Sequence, residues 1–548
     1  MNAGPSLEHE VCFHYGHNKA SWFSTYEEQK QHWPMDTSKH VGRGKSFTTA
    51  DFFHYDFGGI IEHLFINSDG FAVMLNEHHP WFLRRDSNNG DPIFCVSVSH
   101  DDPYPKLNKY PSGYFDIQFT VKVGKNIRDV TKSFTDPNSK SNAKLAHPTH
   151  LPDERVIRYP IWSTWAEYKK NINEHKVLDF ATQIKKHGFP NSQIEIDDFW
   201  EHKYGDFSFD HNKFPDPKKL ISELHGLGFR VTAWVYPFVN HDSVAYEANK
   251  NHFIKDANGH PLKVDWWDGS GGAVDFSDVH SAKWFVDRLE KLKKDTGLDA
   301  YKFDAGELNW YGKKFHVKDP QVQLFPNLMT QRYVQTCSNL GGMIEVRTAY
   351  KSQQLPIYVR MLDKGSRWSI DNGLQTLVTT SLMMSLAGYH FNLPDMIGGN
   401  AYGPKPDEEL YIRWVQANAF LPSLQFSIPP WAYKASTVNI TKKFVDLHVE
   451  HADTIIQLAK EAISHGTPII RPMWYAEPDD HRTFKIGDQY MLGEDIVVAP
   501  VLEKGQVERQ VYLPSGTWLD ASGKSFTGPA EIKVSAPLEV LPWFKRKH

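Results

Sequence analysis

Cysteine is scarce, with three in 548 residues, at Cys12, Cys95 and Cys337. Three thiols without Cys-x-x-Cys or Cys/His spacing exclude a disulfide framework and a structural zinc site, so no metal and no cofactor is expected. Long apolar runs are also missing. None approaches the roughly 20 residues that span a bilayer, so no membrane segment is expected, and the opening MNAGPSLEHEVCF lacks the basic and apolar regions of a signal peptide. Charge of one sign is absent as well: 61 Lys and Arg stand against 66 Asp and Glu, a formal net of -5. That balance offers no footprint for nucleic acid or an anionic membrane. No glycine-rich phosphate loop follows the first strand–helix junction, which removes nucleotide binding on an open doubly wound sheet. There is no low-complexity tract, and the tail KRKH is a solvated end. A neutral partner is favoured.

Aromatic residues are abundant, with 17 tryptophans. Trp162, Trp165, Trp200, Trp234, Trp266, Trp267, Trp310, Trp368 and Trp431 fall at strand ends or in loops, where flat faces can stack on sugar rings; core packing is the competing role for each. Up to about residue 150 the pattern is short alternating segments with turn residues, such as the SDG turn inside HLFINSDGFAVML, and predicts an N-terminal β-sandwich over 1–150. Between 151 and 445 apolar strands alternate with helical segments. The strands are VIRYPIW, QIEIDDFW, FRVTAWVYP, AYKFDAGE, MIEVRTA, RWSIDNG, YHFNLPDMIGG and LPSLQFSI. Gly188, Gly228, Gly297 and Gly388 end the intervening helices at the left-handed position that suits glycine. Eight such units imply an α/β fold, a closed (β/α)8 TIM barrel with apolar strand interiors and chemistry at the strands' C-terminal ends. A linking helix and a C-terminal β-sandwich region follow over 446–548.

Asp197, Trp234, Asp304, Glu307, Arg347, Asp371 and Asp395 sit at or beyond those ends. Retaining cleavage of a glycosidic bond needs one carboxylate ionised to attack the anomeric carbon and one carboxylic acid to protonate the leaving oxygen. Asp304 fits the first role. It ends an apolar strand, Ala305-Gly306 leave room for a substrate, and Lys302 and Arg347 would favour its ionised form. Asp371, placed at the end of the sixth strand beside Trp368 and Ile370, fits the second, its apolar neighbours favouring the protonated form. A strand-end Asp also serves as a helix cap or ion-pair partner. Trp162, Trp234, Trp267 and Trp368 are candidates for shaping the sugar pocket, and Asp395 in PDMIGG for bracing its turn.

These segments resemble glycoside hydrolase family 31. KFDAGE is similar to the family's nucleophile strand and RWSIDNG to its acid/base segment. IEIDDFW with FSFDHNKFPDP, AWVYPFV, PDMIGG, GTPIIRPMWY, GEDIVVAPVL and VYLPSGTW follow in the family's order over some 400 residues. The resemblance implies Asp304 as nucleophile, Asp371 as acid/base, Asp197 holding hydroxyls of the terminal sugar and Arg347 lining the same pocket. CFHYGHNKASWFSTYEEQKQHWPMD, YPIWSTWAEYK and FLPSLQFSIPPW resemble the family's α-galactosidase-like members.

Two departures bear on the sugar. Ile370 stands where family α-glucosidases have Gly before the acid/base, and Ser427 where they carry a sugar-binding His, which turns the expectation from glucose toward an axial hydroxyl, as in α-galactosides. An α-glucosidase or transglycosylase is the alternative within enzymes, and a catalytically silent carbohydrate-binding or scaffold protein the alternative outside them. The expected partner is an oligosaccharide or glycan, and the family resemblance implies the secretory pathway or an extracellular location. In that setting Cys12 and Cys95 would pair within the sandwich, leaving Cys337 free in a barrel helix; three reduced thiols are the alternative.

Overall fold

The computed structural model describes residues 10–14, 20–35, 45–52, 57–88, 91–99, 103–104, 117–312 and 314–548. At the N-terminal end, two four-stranded antiparallel sheets pack face to face. Their inner faces meet in Trp22, Tyr26, Phe65 and Phe94, with the Phe65 and Phe94 rings stacked at 4.5 Å. The Ser68–Gly70 turn joins strands Phe57–Asn67 and Phe71–Leu75, and Gly70 takes the positive φ (86°) that reverses the chain. Cys12 and Cys95 are bonded across directly opposed positions of two strands, and Cys337 is free and buried in helix Asn327–Ser338.

Eight parallel strands follow: Ile161–Ser163, Gln193–Ile196, Arg230–Val235, Ala300–Phe303, Glu345–Val346, Tyr358–Arg360, Asn392–Leu393 and Gln425–Phe426. Each pairs with its sequence neighbour, the eighth pairs with the first, and a Met396–Gln425 bridge closes the seventh onto the eighth. Helices cover the outside, several through one apolar stripe, while Gln375–Leu386 and Glu408–Asn418 are buried at nearly every position. Glu174–Lys186 is capped by Asn173 and buries Val177, Phe180, Ala181 and Ile184 at helical spacing. Gly188, Gly228, Gly297 and Gly388 all have positive φ, as their helix-ending positions require.

Two expectations are corrected. The sixth strand is Tyr358–Arg360, and the RWSIDNG segment is a loop after it. Its Ser, Asp, Asn and Gly favour turns, and Asn372 adopts φ 55°. Barrel interiors are not uniformly apolar either. Alternation along each strand turns Ile194 and Ile196 into the hydrophobic core while Glu195 and, on other strands of the barrel, Lys302, Glu345, Arg360 and Gln425 bond to one another inside the ring.

Helix Ala435–His465 leads to a six-stranded antiparallel sheet containing the long hairpin Glu508–Asp520 and Ser525–Ser535. The N-terminal sandwich docks on the barrel mouth: Gly59 and Ile61 bond to Ala349 beyond the fifth strand, and Glu27 accepts the Leu362 N–H beyond the sixth. Among the described residues no helix is long and apolar enough to cross a membrane.

Candidate active site

A cavity of about 480 Å3 opens at the C-terminal ends of the barrel strands, a volume ordinary for a small-molecule site. Asp304, directly beyond the fourth strand, is almost fully buried in its wall. One carboxylate oxygen lies 3.1 Å from both Arg347 and Arg360, and the other accepts the Trp234 indole N–H at 2.9 Å. Ala305 and Gly306 then turn through positive φ, and a Cβ on Gly306 would stand 2.3 Å from the Tyr333 ring. Tyr333 in turn donates to the Asp304 carbonyl at 2.8 Å. The small residues of KFDAGE therefore serve to seat the nucleophile candidate against a helix.

Arg347 and Arg360 tie this centre to the rest of the ring. Arg347 reaches Glu307 at 2.8 Å and Asp51 of the N-terminal sandwich at 3.3 Å, and stands 5.1 Å from the Trp267 ring centroid. Arg360 reaches Glu345 and Asp395 at 3.1 Å and Asp363 at 2.7 Å. Burial alone would lower the pKa of each guanidinium. The surrounding carboxylates outweigh it, Asp304 foremost for Arg347 and Asp363 for Arg360, and hold both well above the ordinary value. Burial would raise Asp363, but Arg360 and Arg347 hold it below the usual carboxylate range. Asp363 also accepts from the Tyr402 hydroxyl.

Beneath them, Lys302 sits 3.0 Å from Asp197, 3.1 Å from Glu195 and 3.9 Å from Glu345. Burial would lower its pKa, yet Asp197 and Glu195 raise it above the ordinary value. Glu345 is pushed up to about 8, by burial first and by the Glu195 charge second. Asp197 is fixed by Ser163, by Lys302 and through its own N–H by Thr164. Next to it Asp198, pushed up to about 8 by burial and then by Asp268, accepts from Tyr204.

Of the residues singled out in the sequence, the cavity gathers Trp165, Asp197, Trp234, Trp266, Trp267, Lys302, Asp304, Trp310 and Arg347. Trp162 is not brought there. It is fully buried behind the first strand, stacked on Phe426 and Trp431 and bonded to the Pro190 carbonyl, because strand alternation turns it outward while Ser163 faces Asp197. Trp368 packs half-buried against the hydrophobic core and is not among the cavity's lining residues.

Asp371 lies on the loop after the sixth strand, outside the lining, and is not in the apolar setting expected. Gln29 of the N-terminal sandwich donates to one oxygen at 2.7 Å and Arg367 to the other at 3.0 Å. Asp395 is fully buried and braces its turn by accepting from the Lys364 N–H and Asn400. Ser427 is buried and accepts the Ala166 N–H at 2.6 Å, seating the turn that carries Trp165 to the cavity.

Residues 158–458 match the glycosyl hydrolases family 31 TIM-barrel domain, and residues 466–548 the glycosyl hydrolase family 31 C-terminal domain. The chain belongs to glycosyl hydrolase family 31. It is 35% identical to myogenesis-regulating glycosidase of Mus musculus over 98% of this chain and 75% of that protein. Identity to an α-xylosidase of Emericella nidulans is 27%, over 87% of this chain and 60% of that protein. In fold it matches a Flavobacterium johnsoniae GH31 dextranase complexed with glucose (TM-score 0.78, 19% identity, 98% of this chain and 66% of that one). It likewise matches a cycloalternan-degrading enzyme of Trueperella pyogenes in complex with a covalent intermediate (TM-score 0.80, 18% identity, 98% and 77%). This family 31 chain therefore has a glycosidase framework, and its relatives' names span several sugars.

Sequence reasoning missed Arg360, Asp363, Asp51 and Tyr402. Arg360 ends the strand that was placed one segment too late, and IYVR, apolar and β-branched after a proline, was the signal for it. Asp363 and Tyr402 belong to loops and Asp51 to another domain, where no local pattern points at the barrel.

Proposed function

We propose that this family 31 chain is a retaining α-glycosidase releasing a terminal α-linked sugar from an oligosaccharide or glycan, with α-galactosides as the preferred class. The observation that carries it is the Asp304 carboxylate, buried in the wall of an aromatic-lined cavity and oriented by Trp234, Arg347 and Arg360. Asp304 attacks the anomeric carbon while Asp371 gives its proton to the departing oxygen. Asp371 then takes a proton from water as that water displaces Asp304, so the configuration is retained over two inversions. Acid duty requires Asp371 to exchange Gln29 or Arg367 for the leaving oxygen. Asp197 accepts hydroxyls of the terminal sugar, a role that its Lys302 partner and its position in the cavity lining support.

The preference for galactose rests on the departures at Ile370 and Ser427 and on the aromatic wall of Trp165, Trp234, Trp266, Trp267 and Trp310. An axial 4-hydroxyl leaves the hydrogens of C3, C4 and C5 as one apolar face suited to such a wall, and a pocket that pairs a particular hydroxyl discriminates strongly. The Cys12–Cys95 bond supports a secretory or extracellular location. A panel of nitrophenyl α-glycosides tests the reading. Cleavage of the α-galactoside above the others, lost in Asp304→Ala and Asp371→Ala, is expected. Cleavage of the α-glucoside without the α-galactoside would replace the sugar, and activity unchanged in both variants would overturn the mechanism.

A further inference from the structure

A second, smaller cavity of about 110 Å3 lies away from the barrel mouth, where helix Ile127–Thr135, the segment after strand Ile470–Arg471 and the last strand Trp543–Arg546 come together. Arg128 from the helix, Arg471 from the end of strand Ile470–Arg471 and Arg546 from the last strand line it. Among the described residues the one carboxylate in its lining is Glu494, which pairs with Arg471 at 3.1 Å and is otherwise largely solvent-exposed. Asp495, outside the lining and half-exposed, stands 3.6 Å from Arg546, so three guanidiniums face two solvent-exposed carboxylates and keep a surplus of positive charge, while Arg471 is only 3% exposed in its side chain.

The donors are only partly used. Arg128 gives one Nη to the Tyr475 carbonyl, Arg471 gives Nε to the Pro468 carbonyl and one Nη to Glu494, and Arg546 gives Nε to the Glu494 carbonyl and one Nη to the Ser515 carbonyl. Each guanidinium keeps a further Nη that no described hydrogen bond or ion pair takes up. Tyr475 supplies an independent observation. The residue, part of this lining, is only 3% exposed, and its hydroxyl is buried with no hydrogen-bond partner. An orphan buried hydroxyl is costly unless something accepts from it.

We propose that this cavity is a binding site for a small tetrahedral oxyanion, phosphate or sulfate in type, free or as the terminal group of a phosphomonoester. Planar guanidinium forks and a hydroxyl donor are the groups that recognise such an anion, and the small volume admits the group itself but no sugar ring beside it. Bound there, the anion ties helix Ile127–Thr135 to two strands of the C-terminal sheet, and so stabilises the junction of the N-terminal and C-terminal domains.

Thermal unfolding of the whole chain against inorganic phosphate, with chloride matched in ionic strength, tests it; a sugar phosphate forms a second arm that separates free from esterified sources. A saturable rise in melting temperature with either probe is expected, weakened at least about tenfold in midpoint concentration by Arg128→Gln, whose side chain is half-exposed. Tyr475→Phe removes only the unpartnered hydroxyl, so it should leave the anion-free melting temperature intact while reducing the phosphate response. No response beyond chloride with either probe, or a full response in both variants, overturns the proposal.

Discussion

Replacing Lys302 with methionine removes the one cation that stands between Asp197, Glu195 and Glu345 at 3.0, 3.1 and 3.9 Å inside the barrel. Breaking a buried ion pair by deleting one partner costs about 3–5 kcal/mol, because the other charge is left uncompensated. Arg360 still faces Glu345 at 3.1 Å, so the lower half of that range is expected at pH 8. The loss must depend on pH. Burial already raises Glu195, and pushes Glu345 to about 8, with the lysine in place. Without it both carboxyls keep their protons in the folded state to higher pH, whereas the unfolded chain releases them near 4.5. The folded variant thus binds more protons than its unfolded form above pH 4.5, and its stability falls as pH rises. Denaturant unfolding followed by tryptophan fluorescence should give a loss of about 3 kcal/mol at pH 8 that shrinks to about 1 kcal/mol at pH 5. A loss below about 1 kcal/mol at pH 8, or an equal loss at both values, would refute the reasoning.

Other buried groups set the pH dependence of the unmodified chain. Burial pushes Glu62 and Glu201 up to about 7, so their contribution is complete below pH 4.5 and lost as pH rises through 7, about 0.8 kcal/mol each between pH 6.5 and 8. The buried neutral His63 and His390, lowered to about 3, act oppositely, mostly below pH 6.5, and offset only about 0.4 kcal/mol each between pH 6.5 and 8. The melting temperature should therefore fall from pH 6.5 to 8, and a rise measured by calorimetry would contradict the assignment. Trp162→Ala should cost about 3–5 kcal/mol in denaturation while sparing KM, as a core truncation does. Trp267→Ala, at a 41% exposed rim position, should raise KM with little change in stability. Arg360→Lys cannot span Asp304, Glu345, Asp363 and Asp395 with a single ammonium, so kcat for the nitrophenyl α-galactoside should fall by about tenfold or more.

The strands and helices that build the barrel were readable because their apolar periodicity and helix-ending glycines are local properties: Val177, Phe180, Ala181 and Ile184 mark a buried stripe, and Gly188 its end. Asp304 and Lys302 were readable because a charged residue inside an apolar strand needs a reason to be there. The charged interior was not, since Glu195, Glu345 and Arg360 become one network only when strands distant in sequence close into a ring. Trp162 was misjudged because a two-residue periodicity decides which side of a strand faces the cavity, and in a three-residue strand that period is too short to read. Gln29 at Asp371 and Asp51 at Arg347 come from a separate domain, and no spacing within the barrel sequence encodes that docking.

The most direct test of the central claim is covalent trapping. Incubation with a 5-fluoro-α-galactosyl fluoride, followed by proteolysis and mass spectrometry, should place one fluorosugar ester on Asp304. A label on another carboxylate of the cavity, Asp363 or Asp197, or turnover of the nitrophenyl α-galactoside without any adduct, would contradict it.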